Sequence, residues 1–385
     1  MPHPRKRLIF ERIEKEAKFW PVISLVGARQ VGKTTLLRNL SRWTYLSFDQ
    51  LAVAEAARAD PASLLKYKTI IDEAQKVPVI FDEIKNEVDS HRKPGSFILS
   101  GSVRFSKRTF IRESLTGRTL TLEMHPLSLL EALGKNFNDA KTQTVTRTEF
   151  TKHLNKGGMP GIFSVHDQKK VTSYWKALIE SYLYRDLVLV IEKNPKPKTA
   201  ESILRAVCHI LSLGETPTFS RILKKTGGTR SVIQRHLAAL EDMMILQSLP
   251  HFKKSDAKTA YLPFDNGLFL TVLDQGSEQK DQAVLKACLW INMLNELKVF
   301  QNEILGYAES NQGELIHAIY KRNSKNALHA IQLSTEVTPH GYSLRLIKAF
   351  AEKNKAVVCV LSPAKLKMKI LGAPVLPWES IFEWV

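Results

Sequence analysis

Cysteine is scarce in this chain of 385 residues: Cys208, Cys288 and Cys359 are its three copies, far apart and without a C-x-x-C pair. That count fits neither a disulfide framework nor a zinc site, and it predicts reduced, buried thiols. No apolar run reaches the roughly 18 residues that a bilayer crossing needs. The first twenty residues are basic but carry Glu11, Glu14 and Glu16, so they lack a signal-peptide core. Together these absences predict a cytoplasmic protein with no membrane partner. There is no internal repeat and no low-complexity tract. Acidic residues are also in deficit, at 38 Asp and Glu against 56 Lys and Arg, a formal net charge of +18. Such an excess raises the local concentration of polyanions, so nucleotide or nucleic acid is favoured over a cationic partner.

With 44% hydrophobic and 24% charged residues the composition is that of a folded protein, and the length predicts two or three domains. The fold class is α/β. Up to about residue 134, apolar strand patterns at 22–26, 44–48, 69–73, 96–100 and 119–124 alternate with helical ones such as 33–40 and 79–92. This is the pattern of a parallel sheet covered by helices. Polar stretches at 134–148 and 274–282 read as boundaries, and Asn194-Pro195-Lys196-Pro197 stops a long helical run over 171–193.

The segment GARQVGKTT (27–35) satisfies G-x-x-x-x-G-K-[ST], directly after an apolar strand and at the start of a helix. Gly27 and Gly32 let the loop turn, so that backbone N–H groups of Ala28, Arg29, Gln30 and Val31 can face phosphates. Lys33 is expected to reach the β- and γ-phosphates of ATP. Thr34 is expected to ligate Mg2+, with Thr35 opening the helix beside it. Some 40 residues on, TIIDEAQ (69–75) delivers two carboxylates to the end of a strand. Asp72 is placed on the magnesium ion and Glu73 on the attacking water. A third strand ends at Ser100 and Ser102, whose hydroxyls could contact the γ-phosphate or that water.

GARQVGKTT, IIDEAQKVP (70–78), FILSGSVRF (97–105), LTGRTLTLEMHPLSLLEAL (115–133) and GGMP (157–160) occur in the order seen in a group of bacterial and archaeal AAA+ ATPases, which the chain resembles. The resemblance implies a five-stranded AAA+ core over 1–135 and a helical lid or connector over 136–198. A winged helix-turn-helix over 199–272 and a domain similar to PD-(D/E)XK nucleases over 280–385 complete the pattern. It also implies a homo-oligomer in which Arg118 is a finger for a neighbouring subunit's ATP, with Arg104, Arg108 and Arg112 as rival candidates.

Over 219–246 the sequence itself reads as helix, turn, helix and strand-like exit, with Leu223, Val232, Ile233, Leu237 and Leu240 inward. Arg230, Gln234 and Arg235 then face outward, and 251–268 could supply a wing. Residues 219–258 are thus candidates for duplex DNA, although such modules also serve packing alone. In the last domain Glu296 fits the helix position of the nuclease-like pattern. Ile316, Gln332 and Ser334 stand where Asp, Glu and Lys are expected, so loss of metal-dependent cleavage is predicted. The leading expectation is ATP hydrolysis coupled to action on DNA or on a DNA-bound partner. The alternative is a nucleotide-gated protein-interaction switch with slow hydrolysis.

Overall fold

The computed structural model describes residues 5–104, 115–135, 144–191, 193–253, 258–274, 281–322 and 327–384. The chain divides into two compact units, one of residues 1–125 with 242–244 and one of 126–241 with 245–385.

The first unit is built on five strands: β1 (Val22–Gly27), β2 (Thr44–Ser47), β3 (Thr69–Asp72), β4 (Phe97–Gly101) and β5 (Thr119–Met124). All are parallel, in the order β2-β3-β4-β1-β5. Every residue of β1, β3 and β4 is buried, as expected for central strands of a sheet covered on both faces. Helices α1 (Leu8–Glu16), α2 (Lys33–Arg38), α3 (Leu51–Ala59) and α4 (Val79–His91) belong to this unit. The amphipathic pattern of α4 buries Ile80, Phe81, Ile84 and Val88, the i, i+4 stripe that its sequence spells out. Because β1, β3 and β4 run the same way, the residues that follow them share one sheet edge, where ligands of open α/β sheets bind.

The second unit holds α5 (Leu129–Leu133), α6 (Arg147–Lys156), α7 (Gln168–Ser181), α8 (Pro197–Ser212), α9 (Phe219–Thr226) and most of α10 (Arg230–Asp242). The run expected over 171–193 ends earlier as a regular α-helix, since residues 182–186 widen to π geometry before a last turn at 187–190. After α10, β6 (Leu246–Leu249) and β7 (Ala260–Pro263) pair antiparallel. The proposed wing is therefore shorter than 251–268, because α11 (Asn266–Val272) already begins there, capped by Asp265. Residues 254–257 of that stretch lie outside the described residues.

A mixed six-stranded sheet completes the unit, with strands β8 (Glu303–Glu309), β9 (Leu315–Lys321), β10 (Leu328–Leu333), β11 (Val357–Ser362), β12 (Met368–Ile370) and β13 (Ala373–Pro377). Their order is β12-β13-β11-β10-β9-β8, with α12 (Gln282–Val299) before β8 and α13 (Gly341–Asn354) between β10 and β11. Among the described residues no helix is long and apolar enough to cross a membrane. All three cysteines are free and buried.

Two glycine motifs of the second unit meet at one buried carboxylate. Asp265 Oδ2 accepts from the Gly158 N–H at 2.7 Å and Oδ1 from the Gly267 N–H at 2.6 Å. Gly157 has φ 83°, and a Cβ there would stand 1.9 Å from Asp265 Oδ1. At Gly267 an added Cβ would fall 2.1 Å from Trp175 Nε1. Gly157 of GGMP and Gly267 of FDNG are thus needed because the Asp265 and Trp175 side chains occupy the space a Cβ would take, which makes the two segments a structural lock.

Candidate nucleotide site

Strand β1 runs straight into the loop 27–32, and each loop residue has a local reason for its identity. A Cβ on Gly27 would stand 2.6 Å from the Met124 carbonyl oxygen, so only glycine allows β1 and β5 to close at this edge. Gly32 has φ 106°, which a side chain resists, and Gln30 also adopts a left-handed turn at φ 63°. Ala28 and Val31 are buried, while Arg29 is half-buried and Gln30 exposed. Gly32 offers no side-chain cap to α2. The first-turn N–H groups at Lys33, Thr34 and Thr35 are then the donors that an anion would satisfy.

Lys33 is buried and donates from Nζ to the carbonyls of Gly27 at 2.7 Å and Ala28 at 3.1 Å. This folds the ammonium back over the loop. Beside it lies a network centred on Asp72, itself 1% exposed. Its Oδ2 accepts from Thr34 Oγ1 at 2.7 Å and from the Tyr45 hydroxyl at 2.6 Å. Its Oδ1 accepts from Ser100 Oγ at 2.7 Å and from the Glu73 N–H at 3.2 Å. Register explains the convergence: Ile71 pairs with Leu99, and Leu25 with Ser100, so the ends of β1, β3 and β4 lie side by side.

Glu73 takes a left-handed backbone conformation, φ 57° and ψ 40°, which costs a non-glycine residue about 1 kcal/mol. Burial raises its carboxyl above the ordinary glutamate value, partly opposed by the Lys33 charge and by a hydrogen bond from Gln75. That bond runs from Gln75 Nε2 to Glu73 Oε2 at 2.5 Å. A raised pKa makes this carboxylate a stronger proton acceptor than an ordinary glutamate.

Ser102 is buried one residue beyond β4, at the same sheet edge, but only Ser100 is seen to bond Asp72. Arg118 is elsewhere. It precedes β5, its carbonyl accepting from the Val22 N–H, whereas the loop follows the last β1–β5 pair, Gly27 with Met124. Five residues of strand separate them, about 17 Å. Its guanidinium makes two 2.6 Å bonds to the Asp89 carboxylate. Arg104 pairs with Glu123 at 2.6 Å. Arg108 and Arg112 lie outside the described residues.

Two participants were not visible in the sequence. Tyr45 reaches Asp72 from β2, and burial together with the Asp72 carboxylate raises its hydroxyl pKa. Arg7, buried ahead of α1, donates to the Val31 carbonyl at 2.9 Å and to the His125 carbonyl at 2.5 Å. It pins the loop to the end of β5. An isolated arginine and an ordinary strand tyrosine carry no motif, so only the fold reveals them.

Glu296 does not point toward a metal site. Its Oε1 accepts from the Leu129 N–H at 2.6 Å, capping α5. Burial pushes its carboxyl up to about 8. Ile316 is buried in β9, Gln332 donates to Ser343 Oγ at 2.7 Å, and Ser334 bonds the Glu336 carbonyl.

Residues 20–133 match the family model described as an AAA domain, and residues 147–279 match one described as a domain of unknown function. Two curated relatives are the uncharacterized protein Rv2008c of Mycobacterium tuberculosis and the uncharacterized protein Mb2031c of Mycobacterium bovis. Each is 27% identical over 235 residues, covering 60% of this chain and 49% of the relative. The chain therefore spans about half the length of the curated relatives it matches. Among solved structures, the Walker-type ATPase of Pyrococcus abyssi is similar with a TM-score of 0.46 and 15% identity, over 69% of this chain and 94% of that one. AMPPCP-bound DnaA of Aquifex aeolicus gives 0.29 and 13%, over 62% and 87%. Over residues 20–133 the parallel sheet, the glycine-rich loop and the family match agree on an AAA-type P-loop domain.

Proposed function

We propose that residues 20–133 hydrolyse ATP with Mg2+. The observation that carries this reading is the 2.7 Å contact between Thr34 Oγ1 and Asp72 Oδ2 beside the Lys33 ammonium. Two hard oxygen donors from different elements are held together at a loop lined with N–H groups and carrying the Lys33 ammonium, which suits a magnesium–phosphate pair. Thr34 and Asp72 would hold the ion, which supplies charge neutralisation on the phosphate oxygens when bound. Lys33 would leave the Gly27 and Ala28 carbonyls for the β- and γ-phosphates. Glu73 would orient a water molecule and take its proton as the water oxygen bonds the γ-phosphorus. The bond from that phosphorus to the bridging oxygen breaks, releasing ADP. Arg118, on the far edge of its own sheet, could serve only a neighbouring subunit's ATP, which fits a homo-oligomer. Mg2+-dependent phosphate release that is lost with Lys33→Ala and with Glu73→Gln tests the reading.

The Gln75–Glu73 bond favours a second reading, slow hydrolysis that resets a nucleotide-gated switch. While Oε2 accepts from Gln75 it is less available to a water molecule. Under this reading Gln75→Ala raises turnover, whereas an enzyme already poised for hydrolysis gains nothing.

For the second unit we propose contact with duplex DNA through residues 219–258, since Lys224, Lys225, Arg230, Gln234 and Arg235 are all exposed. Helix α9, the turn, α10 and the β6–β7 ribbon follow one another as in a winged helix-turn-helix. Residues 280–385 are proposed to be nuclease-like in fold and inert as a nuclease. Glu296 is engaged with backbone, and Ile316, Gln332 and Ser334 supply no carboxylate.

A further inference from the structure

A cleft of about 360 Å³ opens between the first turn of α8 and the turn joining α9 to α10. Lys196 and Lys198 line it, with the hydroxyl-bearing side chains Thr199, Ser202, Thr226 and Thr229. Its floor is the apolar pair Val232 and Ile233. Gly228 lets the turn close over this floor, since a Cβ there would stand 2.8 Å from Ile233 Cδ1. Gly227 supplies the left-handed φ of 68° that ends α9. The Lys196 N–H donates to His236 Nε2 at 3.1 Å, fixing the start of α8 against α10.

The surroundings are strongly basic. Lys196 and Lys198 are exposed in the cleft lining, and Lys193, Lys224, Lys225, Arg230 and Arg235 are exposed on the segments that supply the lining. The nearby acids Glu201 and Glu215 are already paired with Arg205 and Arg221. The Thr226 hydroxyl donates to the Ile222 carbonyl at 2.9 Å, so the concave site offers two ammonium groups and the hydroxyls of Thr199, Ser202 and Thr229, with no carboxylate in its lining, which suits a phosphate dianion or a phosphodiester.

We propose that this cleft seats a backbone phosphate of duplex DNA, with Lys196 and Lys198 neutralising the strand while Arg230, Gln234 and Arg235 enter the major groove. The inference rests on the DNA-contact reading above and extends it to residues that precede α9. Duplex DNA is favoured because the outward side chains stand on a helix beside the cleft. A helix about 10–12 Å across fits the major groove of B-form DNA, while the deep, narrow major groove of an RNA duplex excludes it.

The test is fluorescence anisotropy of the full chain with a labelled 30-base-pair DNA duplex across a salt series, alongside ATP turnover without DNA. The variants are Lys196→Gln/Lys198→Gln and, as a control, Lys169→Gln on the exposed start of α7. The double variant is expected to lose about tenfold or more in affinity at 0.15 M salt and to lower the salt slope by about 2. The control is expected to match the wild type, and basal turnover to stay the same in all three. Unchanged affinity and slope in the double variant overturns the phosphate seat. Equal affinity for an RNA duplex, or no binding of the DNA by wild-type protein with normal turnover, overturns the proposal and leaves the ATPase reading standing. Absent turnover with intact, lysine-dependent DNA binding would instead sink the ATPase reading alone.

Discussion

The Ser100 hydroxyl donates to Asp72 Oδ1 at 2.7 Å while Thr34 and Tyr45 donate to the other carboxylate oxygen. One buried carboxylate thus joins β2, β3 and β4 to the first turn of α2. It is structural support for the loop as well as a candidate magnesium ligand.

Replacing Asp72 by alanine strands those three hydroxyls. The expected cost is about 1–3 kcal/mol for each that stays buried without a partner, with Ser100 the most affected. A thermal melt without nucleotide should show a lowered Tm for Asp72→Ala and a smaller drop for Ser100→Ala. An Asp72→Ala melt identical to wild type would remove the structural role.

Glu73 should set the acid limb of the turnover profile. Water activation needs the ionised carboxylate, and burial raises the carboxyl pKa. Turnover should therefore fall, as pH is lowered, at a higher pH than an ordinary glutamate would give. Glu73→Gln is expected to cost 10²- to 10⁴-fold in turnover, to flatten that limb, and to leave nucleotide binding intact. A pH–rate profile of both proteins, with a binding titration, checks it.

Arg118 acting across a subunit boundary has a kinetic signature. Arg118→Ala should bind ATP as wild type yet turn over more slowly. An Arg finger is worth about 10³-fold or more in related chemistry. Mixing inactive Lys33→Ala with inactive Arg118→Ala should restore turnover, because one supplies the loop and the other the arginine. No recovery on mixing, with both proteins shown to assemble, would count against the finger. Asp89 holds Arg118 in the isolated chain, so Asp89→Asn is expected to leave nucleotide affinity unchanged.

The buried carboxylate of Glu296 makes stability depend on pH. Its folded pKa, about 8, lies above the ordinary value of 4.5, so the folded state binds the extra proton between these limits. Stability is then fullest below pH 4.5 from this group and is lost as pH rises toward 8, on the order of 5 kcal/mol. Asp265, pushed up to about 6 by burial, adds a loss in the same direction at lower pH. Glu296→Gln keeps an acceptor for the Leu129 N–H without a charge to bury. Its Tm should match wild type near pH 5 and exceed it at pH 8. Parallel melting curves at both pH values would contradict this.

Much of the first unit was legible because two strong local signals coincide there. Apolar runs such as VISLV and FILS predict buried parallel strands, and the loop and DE pair punctuate their ends. The sheet order was not readable, since strand neighbours depend on long-range pairing. Tyr45 and Arg7 were invisible for the same reason: each works through a partner 27 or 24 residues away. In the second unit α9 and α10 were readable from the Gly227-Gly228 turn. The inward residue of α9 is chiefly Ile222, fully buried, where Leu223 was expected and is half-buried. β8, β12 and β13 leave little trace in the sequence because short or bulged strands near a sheet edge carry weak alternation. Glu296 could be placed on its helix, but its bond to Leu129 spans 167 residues and no local pattern foretells it.

The most direct test of the central claim is steady-state phosphate release from ATP with and without Mg2+, comparing wild type, Lys33→Ala and Glu73→Gln. The account predicts Mg2+-dependent turnover by wild type, none above background for Lys33→Ala, and retained ATP binding without turnover for Glu73→Gln. Turnover that survives Lys33→Ala, or a wild-type protein that neither binds nor cleaves ATP, would contradict it.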